Sequence, residues 1–421
     1  MIISIKSLLE KLIWLLTVFL FSSFLIFETY SWGKYAFFGA TILIVLFSAV
    51  IYDGILRIKL QAYHGFFTLF ILYVAINSLW AMRSSDTVNK AITLAQILVC
   101  AAMMYIHYDR EGNIESLLSA VRWAGYIVTL YAIAFYGLDA MLESSQDLRL
   151  ENEFSNVNTI AMAAALSCTI QWSDILKKKH LLSSVMMVPA VILITATQSR
   201  KAFVWLLAGV FCVYIMHTMR EKGFTKKVLK LVLYALVIFL GLRLLFQLPI
   251  FAGSLERMDQ FLNFFTDNGK VDHSTIMRND MVQLGIEWWK KYPLFGIGIS
   301  NPHILSARYL KFDAYLHNNF VEMLCGGGLV GFALYYAMYV YLFVCMFKYR
   351  KADPDAFAIG IVWLGLMLVM NYGMVTYYSK TQWYYLMIHF INVSNLRNKH
   401  REMIENAQES DSEGNEIPDK C

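Results

Sequence analysis

Few polar residues interrupt this chain, and those with useful chemistry fall in a handful of short segments. His317 stands in His317-Asn318-Asn319-Phe320-Val321-Glu322, which is followed by Gly326-Gly327-Gly328-Leu329-Val330-Gly331. An imidazole can take up a proton near neutral pH. Arg200 stands in Thr197-Gln198-Ser199-Arg200-Lys201, Arg243 near the end of an apolar run, and Arg278 at the head of a helical pattern. A guanidinium stays charged at any working pH, and its planar fork grips phosphate oxygens. Asn156-Val157-Asn158 opens a further apolar run. Taken singly, each has a plainer reading. A lone histidine at a helix mouth is commonly solvated or capped, and glycines in series allow close helix packing. Arg200 suits an interfacial anchor, Arg243 snorkelling as well as a cavity, and Asn156 an N-cap.

The elements that must position these residues are set by composition. Of 421 residues, 58% are hydrophobic and 16% charged, with a mean hydropathy of +0.50. A soluble domain is about 45–50% apolar and about 25% charged, so the composition argues strongly against a soluble enzyme. Apolar runs predict membrane helices near 9–30, 35–52, 63–82, 89–108, 116–138, 156–173, 181–198, 201–219, 228–247, 318–347, 356–377 and 381–395. Most match the roughly 20 residues that cross a bilayer. The expected fold is therefore an all-α polytopic membrane protein of about twelve transmembrane helices. The first run lacks a small-residue cleavage site and does not read as a cleaved signal.

Lysine and arginine orient it. With a cytoplasmic N-terminus, the inner loops hold Lys6, Lys11, Arg57, Lys59, Arg110, Lys177 to Lys179, Arg220, Lys222, Lys226, Lys227, Lys348, Arg350, Lys351, Arg397, Lys399 and Arg401. The short outer loops hold far fewer, among them Lys34, Arg83, Arg149 and Lys380. Alternate loops are basic, as the positive-inside rule requires, and both termini come out cytoplasmic. Residues 1–247 then hold helices one to nine, 248–317 a large extracytoplasmic loop, 318–395 helices ten to twelve, and 396–421 an acidic tail expected to be disordered. The loop is not empty of structure. From Arg278 to Trp289, Met281, Leu284 or Gly285, and Trp288 repeat at helical spacing, with Val282, Ile286 and Trp289 as a second stripe. Pro293 stops that helix before Leu294-Phe295-Gly296-Ile297-Gly298.

Other candidates read as structural. Arg122 lies near the inner end of its helix, where snorkelling explains it. Asp353-Pro354-Asp355 precedes a helix, where capping and proline in the first turn explain it. The six cysteines form no zinc or disulfide pattern, and there is no phosphate-binding glycine loop, hydrolase elbow or His-Glu-x-x-His. No metal or cofactor and no nucleic acid is expected.

Taken together, the polar segments resemble the O-antigen ligase and O-antigen polymerase family of membrane glycosyltransferases. The family pattern is His, then Asn, Ser or Gln, nine residues, then Gly-x-x-Gly. His317-Asn318, the stretch 319–327 and Gly328-Leu329-Val330-Gly331 fit it without a gap. Asn156-Val157-Asn158 is similar to the family's Asn-x-Asn helix start, with Val for the usual Pro. Ser199-Arg200-Lys201-Ala202 is similar to its Ser-Arg-Gly-Ala turn, with Lys for Gly. Arg278 through Gly298 is similar to its loop helix, which ends in Pro-Leu-x-Gly-x-Gly. The resemblance covers residues 150–350, and the orientation derived without it puts all four segments on the outer face.

The resemblance implies a metal-independent, inverting transfer of an oligo- or polysaccharide from undecaprenyl diphosphate to a sugar hydroxyl, outside the bacterial cytoplasmic membrane. It implies His317 as base and Arg278 and Arg200 as catalytic cations, with Arg243 third. Asn318 would hold His317 or the donor phosphate, and Glu322 would orient an arginine or cap a polar pocket. Asn156 and Asn158 would contact substrate. The acceptor would be another carrier-linked repeat unit, as in an O-antigen, capsule or exopolysaccharide polymerase, or lipid A-core, as in a lipopolysaccharide ligase. The repeat-unit polymerase is the preferred reading. Flippase and chain-length regulator proteins are expected partners. A secondary transporter and a non-catalytic polysaccharide scaffold are the readings from other classes.

Overall fold

In a computed structural model the chain is built from helices, and no strand occurs among the described residues. The structure describes residues 5–30, 32–54, 60–112, 114–142, 150, 155–245, 247, 251–253, 255–256, 259–260, 263 and 273–413. The expectations for Arg57, Lys59 and Arg149, for most of 248–272 and for 414–421 lie outside the described residues.

In chain order the helices are α1 (Ile5–Ile26), α2 (Gly33–Ile51), α3 (Ala62–Asn77), α4 (Ser84–Glu111), α5 (Ile114–Tyr136), α6 (Leu138–Leu142), α7 (Val157–Leu176), α8 (Met187–Ala196), α9 (Arg200–Thr218) and α10 (Phe224–Leu245). They continue with α11 (His273–Lys291), α12 (Pro302–Leu305), α13 (Asn319–Tyr349), α14 (Pro354–Asn371) and α15 (Lys380–Glu413). Among the described residues, α1, α2, α4, α5, α7, α9, α13 and α14 are long and apolar enough to cross a membrane. α3 and the Leu181–Ala196 unit, a 3₁₀ turn leading into α8, are apolar but shorter.

Local signals start and stop these helices where the residue types require. Asn156 caps α7 and Ser199 caps α9. Asp353 accepts from the N–H groups of Asp355 and Ala356, and Pro354 sits in the first turn of α14, so this acidic pair is a helix start as expected. α4 closes on Gly112 at φ +60°.

Packing runs through contacts of α1 with α2 and α5, α7 with α5 and α9, α14 with α9, and α13 with α3 and α11. Aromatic rings fill the centre: Phe67 lies flat on Trp383 with ring centroids 3.6 Å apart.

Polar ties gather at the two ends of the bundle. At one end Lys179 pairs with Glu115, Arg220 with Asp355 and Lys399 with Asp353. At the other, Ser155 donates to Glu28, Asn301 accepts from the Arg83 amide, and Thr87 donates to the Ile299 carbonyl. The second end carries the site described below.

Two expectations differ from the structure. Arg122 does not snorkel: it is 1% exposed and ion-paired with Asp174 of α7, which Lys177 also contacts at 3.2 Å. Glycine and small residues let α5 and α7 approach closely there, as at Gly125, where a Cβ would press on Ala163 and Ser167. The guanidinium is thus enclosed before it reaches the helix end. The tail also departs from expectation, because α15 continues as one helix through Glu413. Lys399 and Arg397 anchor it to the cytoplasm-assigned ends of α14 and α13.

Candidate active site

His317 closes the segment that leads into α13, and its backbone is forced. Its φ is +55°, a left-handed conformation that costs a non-glycine residue free energy. Two side chains hold the turn around it. Asn318 is the N-cap of α13 and accepts from the amides of Phe320 at 3.0 Å and Val321 at 3.2 Å. Glu322, buried one turn on, accepts from the amide of Leu316 at 2.9 Å. Asn318 therefore grips the helix side of His317 and Glu322 the chain that precedes it.

The next residue, Asn319, ties this turn to a second element. Its side chain donates to the Tyr336 hydroxyl and accepts from the amides of Thr376 and Tyr377 at 2.8 and 3.1 Å. Thr376 in turn donates to Asn371 at the end of α14. The α14–α15 connection is thereby pinned beside His317. Asn319 is a positioning residue that the sequence reading passed over, because a helix-start asparagine gives no sign of what its amide reaches.

The glycine series explains how α11 reaches the same place. Inside α13 the backbone breaks at Gly328, at φ +62°. The break frees the amides of Leu329 and Val330, which donate to the carbonyls of Pro293 and Leu294 at 2.9 and 3.1 Å. Across it, Ile297 and Gly298 donate to the carbonyls of Cys325 and Gly326. The Pro293–Gly298 turn is thus clasped backbone to backbone into a broken helix. A Cβ at Gly328 would collide with the Leu294 backbone, and one at Gly296 with the Gly326 carbonyl. Tyr73 braces the joint by donating to the carbonyl of Gly327, and Asn77 donates to that of Phe295 at 2.9 Å. The nine residues between the His-Asn pair and Gly-x-x-Gly are therefore the length of α13 between the histidine turn and the break.

α11, anchored at its C-terminal end by that joint, lies along α13 through Met281, Leu316, Val321 and Cys325. Gly285 permits the approach, since a Cβ there would press on Leu316 and Val321. The helix expected from Arg278 to Trp289 is present and one turn longer at its start. Its Thr275, Arg278, Asn279 and Val282 share one face, which turns toward the start of α9.

These elements enclose a cavity of about 380 Å³ lined by Arg200 and Lys201 of α9, Arg278 and Asn279 of α11, His317 and Asn318, Met370 of α14, and Tyr372 and Gly373 just past its end. Val204, Val282 and Val369 make its apolar side. Of the residues singled out from the sequence, the structure brings Arg200, Arg278, His317 and Asn318 together. It does not bring the others to the lining. Glu322 sits behind it, holding the Leu316 amide. Asn156 caps α7 by accepting from the Asn158 amide at 3.0 Å, and Arg243 is exposed near the end of α10. Lys201 was visible only as a departure from a motif, and Tyr372 and Gly373 carried no signal at all.

The electrostatics are one-signed. Among the described residues that line it, the cavity has three cations and no carboxylate. Burial, then the charges of Arg278 and Lys201, push the His317 imidazole down to about 4. It is therefore neutral at physiological pH and able to accept a proton. Among the described residues, no three His, Cys, Asp or Glu side chains come together as a metal cluster. Fixed cations beside a neutral imidazole can bind an anionic group and remove a proton next to it.

Residues 182–336 match the model of the O-antigen ligase family. The matched stretch runs from the 3₁₀ turn before α8 into α13 and holds Arg200, Arg243, Arg278, His317, Asn318, Glu322 and the glycine break. The resemblance read from the motifs is thus upheld over that stretch. No curated protein matches the chain.

Proposed function

For a chain whose residues 182–336 carry the domain of the O-antigen ligase and polymerase family, we propose a glycosyltransferase that moves a polyprenyl-diphosphate-linked glycan to a sugar hydroxyl at the outer face of the bacterial cytoplasmic membrane. The observation that carries this reading is the convergence of Arg200, Arg278 and a neutral His317 on one cavity with an apolar side. A lipid diphosphate is both anionic and apolar, so it matches both surfaces.

The chemistry follows from the charges. The acceptor hydroxyl oxygen gives an electron pair to the anomeric carbon as the bond from that carbon to the diphosphate oxygen breaks. That bond's pair stays on the departing phosphate, and the hydroxyl proton passes to the His317 imidazole. Negative charge grows on the leaving group, so fixed guanidinium groups stabilise the transition state more than the bound donor. The incoming diphosphate also offsets the cations around His317 and raises its basicity from the low value of the empty site. Asn318 and Glu322 act through the backbone of the turn rather than on substrate. The preferred acceptor is a second carrier-linked repeat unit, which makes the enzyme a repeat-unit polymerase.

Purified protein incubated with a lipid-linked repeat unit, with products read by glycan mass, tests this. His317→Ala and Arg278→Ala should insert normally and lose at least about a hundredfold in transfer, and Arg278→Lys should recover only part because a point charge lacks the fork. Full transfer by both alanine variants would end the mechanism. Glycan ladders from cells lacking the protein separate the two acceptors: loss of a polymerase leaves single repeats attached, and loss of a ligase leaves none attached.

A further inference from the structure

The cavity holds one cation more than a bound diphosphate diester requires. Lys201 follows Arg200 in the first turn of α9, where the family's turn carries glycine. Its ammonium donates to the carbonyl of Gly373, which ends the α14 wall of the cavity. The fit is close: a Cβ at Gly373 would lie 3.0 Å from the Lys201 Cε atom. Gly373 thus supplies both the acceptor and the space for the side chain.

The extra charge has a use on the product side. A lipid diphosphate joined to a sugar carries two negative charges. Once the anomeric carbon leaves, the terminal phosphate becomes a monoester whose second ionisation lies near pH 6, so about one more negative charge appears. That charge is born on the oxygen released from carbon, on the face of the anomeric carbon opposite the attacking hydroxyl. Arg278 and Lys201 line the cavity with His317 and the charge of each acts on its imidazole, so the ammonium stands within electrostatic reach of the reacting groups. A lysine suits a moving target, since its compact ammonium rides a flexible stem with rotatable donors.

We propose that Lys201 is the ligand of the leaving group: its ammonium turns from the Gly373 carbonyl to the phosphate oxygen released from the anomeric carbon. This rests on the reading of the cavity as a lipid-diphosphate site. It assigns the substitution of lysine for glycine a role in stabilising product charge, and it separates that role from those of Arg200 and Arg278, which hold the diphosphate throughout.

The test uses full-length protein in lipid nanodiscs and two soluble probes. Inorganic pyrophosphate has free terminal phosphates; P1,P2-dimethyl diphosphate carries the same bridge with both ends esterified. Lys201→Met should weaken pyrophosphate about tenfold or more, as expected for loss of a charged hydrogen bond, and dimethyl diphosphate less than about threefold. Arg278→Ala should weaken both. Lys201→Met should also move the acid limb of kcat/KM to higher pH, because one of the two cations acting on His317 is gone, and Lys201→Arg should keep that limb in place. Unchanged pyrophosphate binding in Lys201→Met, or equal weakening of both probes, overturns the proposal. If the parent binds neither probe, the diphosphate reading of the cavity falls, and this assignment with it.

Discussion

His317 is held in a costly backbone conformation and stripped of most of its water, two conditions imposed by the turn and the cavity around it. Their chemical effect is measurable. The free site keeps the imidazole down at about 4, through burial and then Arg278 and Lys201. A base works only when unprotonated, so activity is retained above that value and falls as pH drops through it. The kcat/KM profile reports the free enzyme, and its acid limb should lie near pH 4; the kcat profile reports the loaded site, where the diphosphate offsets the cations, and its limb should lie about 1–3 units higher. Coincident limbs would show that no anion sits beside His317 during turnover. Which side chains matter was partly legible in the motif spacing. What Asn319, Glu322 and Lys201 do was not, because each acts on a partner far away in sequence or on a backbone amide that no motif describes.

At the scale of elements, the joint between the Pro293–Gly298 turn and the broken α13 decides where α11 lies and hence where Arg278 points. The glycines are needed there for different reasons, and the ranking is testable. Gly328→Ala combines a left-handed backbone with a collision against Leu294, so it should destabilise by more than the roughly 1–3 kcal/mol of strain alone. Gly331→Ala keeps a helical backbone and meets the Tyr73 ring rather than main chain, and should cost less. Gly39, on α2 with open space around it, should tolerate alanine without loss. Thermal unfolding of the purified variants gives the order, and Gly328→Ala should also lose transfer, because α11 is released with the joint. Reading these glycines as packing aids, as the sequence invited, caught close approach but not the helix break, since Gly-x-x-Gly serves either.

At the scale of the whole molecule, two features set the frame in which the cavity forms. One is the Arg122–Asp174 ion pair between α5 and α7. Removing Asp174 leaves the buried Arg122 charge uncompensated, so Asp174→Ala should destabilise by about 3–5 kcal/mol. Arg122→Ala leaves Asp174 its contact with Lys177 and should cost less, and replacing both by Met and Leu should recover most of the Asp174→Ala loss. Unfolding in detergent measures all three. The other is sidedness. Single cysteines placed at exposed Lys290 and Lys351, in a variant without the native thiols, should react with a membrane-impermeant maleimide from opposite faces. Residue 290 should react in intact cells and residue 351 only after lysis. Labelling of residue 351 from outside would invert the orientation and remove the flipped lipid-linked donor from reach of the site.

Hydropathy and helix punctuation are local properties, so the sequence by itself determined that the chain is helical, rich in membrane-length apolar runs, and interrupted by a few polar segments of one family's pattern. Convergence is not local. Only the tertiary structure decided that Arg200, Lys201, Arg278 and His317 share one cavity with the end of α14, that Arg243 and Asn156 stand apart from it, and that Arg122 is paired rather than solvated. Those outcomes depend on where a helix breaks, which backbone groups the break leaves open, and which segment from elsewhere in the chain satisfies them.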